Sequence, residues 1–389
     1  MPKIVFFNQM AGRLFRELAQ EMATAWNPCV LFTGHPDTIR IGSTKHLSVL
    51  PAPVYDKRSL FKRIVSWLKY FLFSLYQSLK TNRDSVLFFS TNPPILGIIG
   101  WINKKLFGKR YIILVLDIYP DIPITLGWLK ENELIARIWR FLNKLSYENA
   151  EAIFTIGEYM AKNLKRQFDP RKTTIGTIEV ISPWVDTNFI KPIKKTDNWF
   201  ARKYNQIDKI TILYSGNLGA THDITKIVEL AKGFKEDPKI HFMVIGNGYR
   251  QKTLSEQIEK ENLPNITLLP HQPENILPYS LAAGDISIIT MHPGIDGYMV
   301  PSSFSYYLAA GCHLWYFGDS ESEIGSICLE PENLGIIFER GKPVMESAKN
   351  AIKTMVHERP SPLSAYEYAK ANFPKGKSIA VILKKISID

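Results

Sequence analysis

Cysteine is scarce in this chain: among 389 residues only Cys29, Cys312 and Cys328 occur. Their spacing fits no metal-ligand pattern, and an odd number cannot all pair with one another, so a reducing cytoplasm is the expected compartment. Long hydrophobic runs are also missing. The most apolar stretch, Ile64 to Leu79, is interrupted by Lys69 and is shorter than the roughly 20 apolar residues of a membrane span. Met1-Pro-Lys runs directly into the strand-like KIVFF, which predicts no secretory leader. Internal repeats, low-complexity tracts and nucleic-acid recognition motifs are absent as well, and a nucleic-acid partner is not expected.

Acidic residues are thin in one part of the chain only. Met1 to Arg110 carries 16 Lys and Arg against 5 Asp and Glu, so the whole net charge of +11 lies there. The surplus is concentrated in DKRSLFKRIVSWLKYFLFSLYQSLKTNR, Asp56 to Arg83, and again in NKKLFGKR. Basic and aromatic residues among leucines suit an anionic membrane surface, with Lys57, Arg58, Lys62, Arg63, Trp67 and Lys69 as the expected patch. The other reading is a core helix with a solvated basic edge.

What is present is a regular alternation of apolar strands and longer amphipathic segments. KIVFF, CVLF, SVLFFS, YIILVL, AIFTI and IEVIS form one set; ITILYS, HFMVIG, ITLLP, ISIIT and HLWYFG form a second. This pattern predicts an α/β chain of two doubly wound parallel sheets covered by helices. The segment Ser182 to Asn205, with two prolines and no periodicity, reads as the linker. The predicted domains are residues 1–187 together with 376–389, and residues 188–375. Ligands of such folds lie at the carboxyl ends of the strands, here in a cleft between facing sheets.

Three turns in the second half suit a phosphate. YSGNLG places Gly216, Asn217 and Gly219 after a strand, close to His222. VIGNGYR repeats the form with Asn247 and delivers Arg250 to a helix start. MVPSSFSYYLAAG opens a short aromatic helix at Ser302 and Ser303, where free N–H groups can hold an anion, although Pro-Ser before a helix is also ordinary capping chemistry. No lysine or carboxylate lies in that segment. In the first half, Gly12 and Arg13 follow the first strand, and LDIYPDIP ends a buried strand with Asp117, Tyr119 and Asp121.

The order STNPPILGIIG, LDIYPDIP, SPWVD, YSGNLG and VPSSFSYYLAAG resembles bacterial family 4 glycosyltransferases, most nearly the branch that builds O-antigen, colanic-acid-like and other exopolysaccharide units. The resemblance covers nearly the whole chain. It implies a GT-B fold of two Rossmann-like domains, with a final helix, Lys377 to Ile388, crossing back to the first. It further implies a retaining hexosyltransferase that needs no metal or other cofactor and takes a UDP- or GDP-sugar. The donor would be held by Gly216, Asn217, Gly219, His222, Asn247, Arg250, Gln272, Asp296, Tyr298, Ser302, Ser303 and Tyr306.

Gly12, Arg13, Tyr119 and Asp121 would face the acceptor, and Asp117 would orient or deprotonate its hydroxyl, unless it only caps the following turn. The implied acceptor is a glycan or a polyprenyl-diphosphate-linked sugar at the inner face of the cell membrane, with the enzyme cytoplasmic and peripheral. The chain departs from the family at one place. Its two glutamates, with seven residues between them, would fall at Tyr298 and Tyr306, and the lysine that often follows Pro-Ser is Ser303; Asp296 is the nearest replacement acid. A catalytically silent GT-B subunit, binding a nucleotide sugar or a glycosyltransferase partner without turnover, is therefore the rival reading. A nucleotide-sugar epimerase fits the two domains but not the basic segment.

Overall fold

The computed structural model describes residues 3–357 and 361–386, the side chains of residues 356 and 357 excepted. Two compact units emerge. The first contains the chain up to Pro183, residues 297–300 and the C-terminal segment from Gly376. The second contains residues 184–296 and 301–375.

Seven parallel strands build the sheet of the first unit: β1 (Ile4–Phe7), β2 (Cys29–Thr33), β3 (Leu47–Pro51), β4 (Val86–Ser90), β5 (Tyr111–Val115), β6 (Ala152–Thr155) and β7 (Ile178–Val180). Their order is β3-β2-β1-β4-β5-β6-β7. Strands β1, β4, β5 and β6 are buried throughout, which is why they read as unbroken apolar runs: helices cover both faces of a parallel sheet. Phe7 stacks between Phe32 and Phe89 on neighbouring strands, with centroids 5.5 and 5.1 Å away.

The sheet of the second unit has six parallel strands: β8 (Ile210–Ser215), β9 (Ile240–Ile245), β10 (Ile266–Leu269), β11 (Ile286–Thr290), β12 (His313–Phe317) and β13 (Gly335–Ile337). They are ordered β10-β9-β8-β11-β12-β13. Strand order reverses between β1 and β4 and between β8 and β11, the positions where doubly wound sheets open a crevice at their carboxyl ends.

Two strands are absent from the sequence reading, β3 and β13. Both lie at sheet edges. β3 alternates buried and exposed residues and ends on a proline, and β13 has only three residues, so neither offers a continuous apolar run.

The last helix, Lys375–Lys385, belongs to the first unit from Gly376 onward. There Ser378 Oγ donates to the Ser182 carbonyl at 2.9 Å and Lys385 pairs with Glu179 at 2.9 Å. The predicted helix end at Ile388 lies outside the described residues. A second return of the chain was not anticipated: residues 297–300 also join the first unit. Met299 forms an antiparallel bridge with Asp117, the Ile118 N–H donates to the Tyr298 carbonyl at 2.9 Å, and Asn163 Nδ2 donates to the Gly297 carbonyl at 3.0 Å.

Candidate functional site

In the second unit, the turns after β8 and β9 are built against each other. The Gly216 N–H donates to the Ile245 carbonyl at 3.0 Å, the Leu218 N–H to Asn247 at 3.1 Å, and the Arg250 N–H to Leu218 at 2.9 Å. Such close backbone contact needs glycine. A Cβ on Gly246, whose φ is +156°, would lie 1.9 Å from the Gly216 carbonyl oxygen, and one on Gly248 2.4 Å from that of Leu218. Around Gly216, by contrast, a Cβ would meet nothing within 4 Å. That side of the turn is open, and there a ligand's phosphates can approach the backbone.

Arg250 hangs over this turn. Its Nη2 reaches the Ala220 carbonyl at 3.4 Å, while its buried Nε has no hydrogen-bond partner. His222 lies between Tyr214, edge-on at 6.1 Å, and the Thr290 carbonyl, 3.0 Å from Nδ1. A carbonyl only accepts, so Nδ1 carries the proton and the lone pair is on Nε2. Burial lowers the pKa of His222, and the charge of Arg250 lowers it further against the bond to Thr290, so the ring is neutral near pH 7. The Asn247 side chain accepts from the His271 N–H at 3.4 Å. Gln272 is half-buried and its Nε2 donates to the Pro270 carbonyl at 2.7 Å.

The helix Ser303–Ala309 begins as read, with Ser302 at its N-cap, but that side chain makes no capping bond. Its anchor is a residue that sequence reasoning missed. The buried Tyr307 hydroxyl donates to the Ser215 carbonyl at 2.7 Å and accepts from the Ser215 N–H at 2.8 Å, which ties the helix to the end of β8 beside Gly216. Tyr306, its half-buried neighbour, was the residue favoured from sequence. The fourth-residue spacing from Ser303 to Tyr307, one helical turn, was the available signal.

Two of the twelve donor candidates stand elsewhere. Tyr298 belongs to the first unit, with its hydroxyl pKa raised by burial and by Asp121. Asp296, proposed as a replacement acid, is inside its own unit with a side chain 3% exposed; Arg340 pairs with it at 2.9 Å and the Tyr316 hydroxyl donates to it. The Tyr316 hydroxyl in turn lies 2.9 Å from Ser322 Oγ. This carboxylate is already occupied by structure.

In the first unit, Thr91 links two of the sequence motifs. Its Oγ1 accepts from the N–H groups of Leu116 and Asp117 at 3.0 and 3.2 Å, which fixes the turn that presents Asp117. Burial pushes the Asp117 carboxyl up to about 6, in the range of a group that exchanges protons near neutrality. Around it runs an aromatic series. Tyr55 stacks on Trp67 at 6.2 Å, Trp67 meets Tyr119 edge-on at 6.3 Å, and Tyr119 stacks on Trp139 at 5.5 Å. Tyr55 and Trp139 were not among the sequence candidates, because no linear motif contains them.

Asp121 is engaged by Arg140 at 3.2 Å and by Gln167 Nε2 at 2.5 Å, a positioning role for the turn rather than a free acid. Arg13 is paired with Glu17 at 2.7 Å, and Gly12 precedes the helix Arg13–Ala25 without a side-chain cap. The basic segment forms the helix Leu60–Lys80, N-capped by Ser59. Lys57, Arg58, Lys62 and Lys69 are exposed, whereas Arg63 and Trp67 turn inward and are half-buried. Trp67 is thus part of the aromatic series and not a surface anchor. No helix among the described residues is long and apolar enough to cross a membrane.

Residues 196–295 match the family described as Glycosyl transferases group 1. WbjE of Pseudomonas aeruginosa, named a probable glycosyltransferase, is 24% identical over 277 residues, 71% of this chain and 68% of that protein. Among solved structures, HepE of Anabaena in complex with UDP and glucose superposes with a TM-score of 0.74 at 12% identity, over 99% of both chains. WaaG, a glycosyltransferase involved in lipopolysaccharide biosynthesis, gives 0.68 at 13% identity over 97% of this chain and 99% of its own. The chain has the two-domain GT-B fold, and its second unit carries a group 1 glycosyl transferase domain.

Proposed function

We propose, from a chain whose residues 196–295 belong to the glycosyl transferases group 1 family, that the protein is a retaining glycosyltransferase of cell-surface polysaccharide synthesis. It takes a UDP-sugar, or a GDP-sugar as the less favoured donor, and passes the sugar to a glycan or polyprenyl-diphosphate-linked acceptor. The observation that carries this reading is the open backbone at Gly216, framed by Gly246 and Gly248 and overhung by Arg250. A departing nucleoside diphosphate needs donors and positive charge there; the open turn lets it approach the backbone, and the Arg250 guanidinium, whose Nε has no partner, supplies donor and charge without a metal.

Asp117 then acts on the acceptor hydroxyl from the first unit, with Tyr119 and its aromatic neighbours as a platform for a sugar ring. The basic surplus of the first unit supports a peripheral position on an anionic membrane, cytoplasmic side, where lipid-linked acceptors are presented. The test is a thermal-shift screen with UDP, GDP and their sugars, followed by transfer to lipid-linked acceptors with EDTA present. Stabilisation by UDP and EDTA-resistant transfer with retained anomeric configuration are expected. Metal-dependent transfer contradicts the metal-free mechanism, and inverted product contradicts retention.

The silent-subunit reading is favoured by one observation: Asp296, the nearest acid to the missing glutamates, is held by Arg340 and Tyr316. Nucleotide-sugar binding without hydrolysis or transfer to any acceptor would select it.

A further inference from the structure

The helix Leu60–Lys80 is inside out. Its buried residues are Ser66, Tyr70, Ser74 and Ser78, while Phe61, Ile64, Leu68 and Leu72 are exposed, Phe61 at 76%. The helix Leu134–Glu148 repeats the inversion in part: Asn143 and Ser146 are buried alongside Ala136 and Tyr147, and Ile135, Ile138 and Phe141 are exposed. The helix Gly97–Phe107 packs against both. A surface helix in water turns its apolar stripe to the core, and contiguous exposed apolar surface marks a place where something else binds.

The first turns of the Leu60–Lys80 helix add a charge to this face. Arg63 turns inward with its guanidinium over the Trp128 ring at 6.0 Å. Its buried Nε has no hydrogen-bond partner, and no carboxylate pairs with its side chain among the described residues. The nearest acid in sequence, Asp56, is taken by Arg58 at 2.6 Å. Lys57, exposed at its side chain, holds its ammonium over Tyr55 at 5.8 Å, and that ring stacks on Trp67, one helical turn after Arg63. Tyr55 and Trp67 connect this region to Tyr119, in the turn that Asp117 opens. An unpaired, half-buried guanidinium with a lysine nearby, beside an apolar face, calls for an anion carried on a hydrocarbon chain.

We propose that Arg63 and Lys57 form the phosphate site for a lipid-linked acceptor, whose hydrocarbon chain lies against the apolar outer faces of the Leu60–Lys80 and Leu134–Glu148 helices. This rests on the glycosyltransferase reading and names the place where its acceptor is held. The phosphate then sits beside the aromatic series that runs through Tyr119, two residues after Asp117, and the sugar beyond it is presented to that carboxylate.

The test uses the full-length protein and neutral phosphatidylcholine vesicles doped with a long-chain polyprenyl diphosphate, the free polyprenol, or phosphatidylglycerol. Wild type is expected to bind the diphosphate vesicles most tightly. Arg63→Gln should weaken that binding about tenfold, the scale of one charge-assisted hydrogen bond, with Lys57→Gln acting in the same direction and Arg63→Lys restoring part of it. The pair Ile64→Ser with Leu68→Ser should weaken binding to all three vesicles. Stabilisation by UDP should be unchanged in every variant, which also reports that each is folded.

Equal binding of wild type and Arg63→Gln to diphosphate vesicles overturns the proposal. So does binding of polyprenol or phosphatidylglycerol vesicles as tight as that of the diphosphate. If UDP binds and sugar is transferred only to soluble glycans, this inference fails while the enzymatic reading stands; if UDP does not bind yet the lipid does, the reverse holds.

Discussion

Tyr307 and Ser215 exchange two hydrogen bonds through one hydroxyl, at 2.7 and 2.8 Å. The backbone groups of a strand end are thereby satisfied by a side chain from a helix more than 90 residues later. Gly216 follows immediately, so the geometry of the open turn depends on this latch.

Removing the hydroxyl leaves a part-buried N–H and carbonyl without this partner, at a cost of about 1–3 kcal/mol. Tyr307→Phe should therefore lower the melting temperature by several degrees and raise KM for the nucleotide sugar more than it lowers kcat. Calorimetry and steady-state kinetics read both. An unchanged KM would show that the latch supports the fold without shaping the donor turn.

The glycines of the same corner should behave oppositely. Gly246→Ala places a Cβ 1.9 Å from a backbone oxygen and should give little folded protein. Gly216→Ala has open space and should keep the melting temperature of the apo protein, yet lose UDP stabilisation, because the methyl group occupies the phosphate's approach. Retained UDP stabilisation in Gly216→Ala would move the diphosphate elsewhere.

Asp117 predicts two pH effects of definite sign. With its carboxyl raised from 3.8 to about 6 by burial, the native state holds a proton that the unfolded chain has released. Stability from this group therefore falls as pH rises between these values and is level above them. The expected loss is about 2 kcal/mol, reduced from the full shift because the side chain is partly accessible. Activity should rise over the same upper limb, since the carboxylate is the working form. Asp117→Asn should remove the stability slope and lower kcat on the order of a hundredfold or more. A variant with near-normal kcat would leave Asp117 as a turn cap.

Asp296 should prove structural. Arg340→Ala leaves its buried carboxylate without a cation, a change that typically costs about 3 kcal/mol or more. Thermal stability should drop while UDP affinity, measured at a temperature where the variant is folded, stays within a few-fold of wild type. A selective loss of UDP-sugar affinity at unchanged stability would return Asp296 to the donor site.

The sheets were legible because their central strands are apolar on both faces, and the glycine turns because strand-end glycines before a helix have few other uses. The edge strands β3 and β13 were not legible, being short or half-exposed. The basic segment misled in detail. Its lysines, aromatics and leucines appear mixed along the chain, and only the helical phase separates Arg63, Ser66, Trp67 and Tyr70, turned inward, from Phe61, Ile64 and Leu68, turned out.

Sequence by itself determined the α/β class, the two doubly wound sheets and the order of the loops at their strand ends, since these follow from local periodicity and the steric freedom of glycine. Tertiary structure alone decided partnership. It gave Asp296 to Arg340, Ser215 to Tyr307 and residues 297–300 to the first unit, and it left Arg63 without a carboxylate among the described residues. Each of these outcomes depends on groups distant in the chain competing for the same desolvated neighbour, and linear spacing holds no record of which one wins.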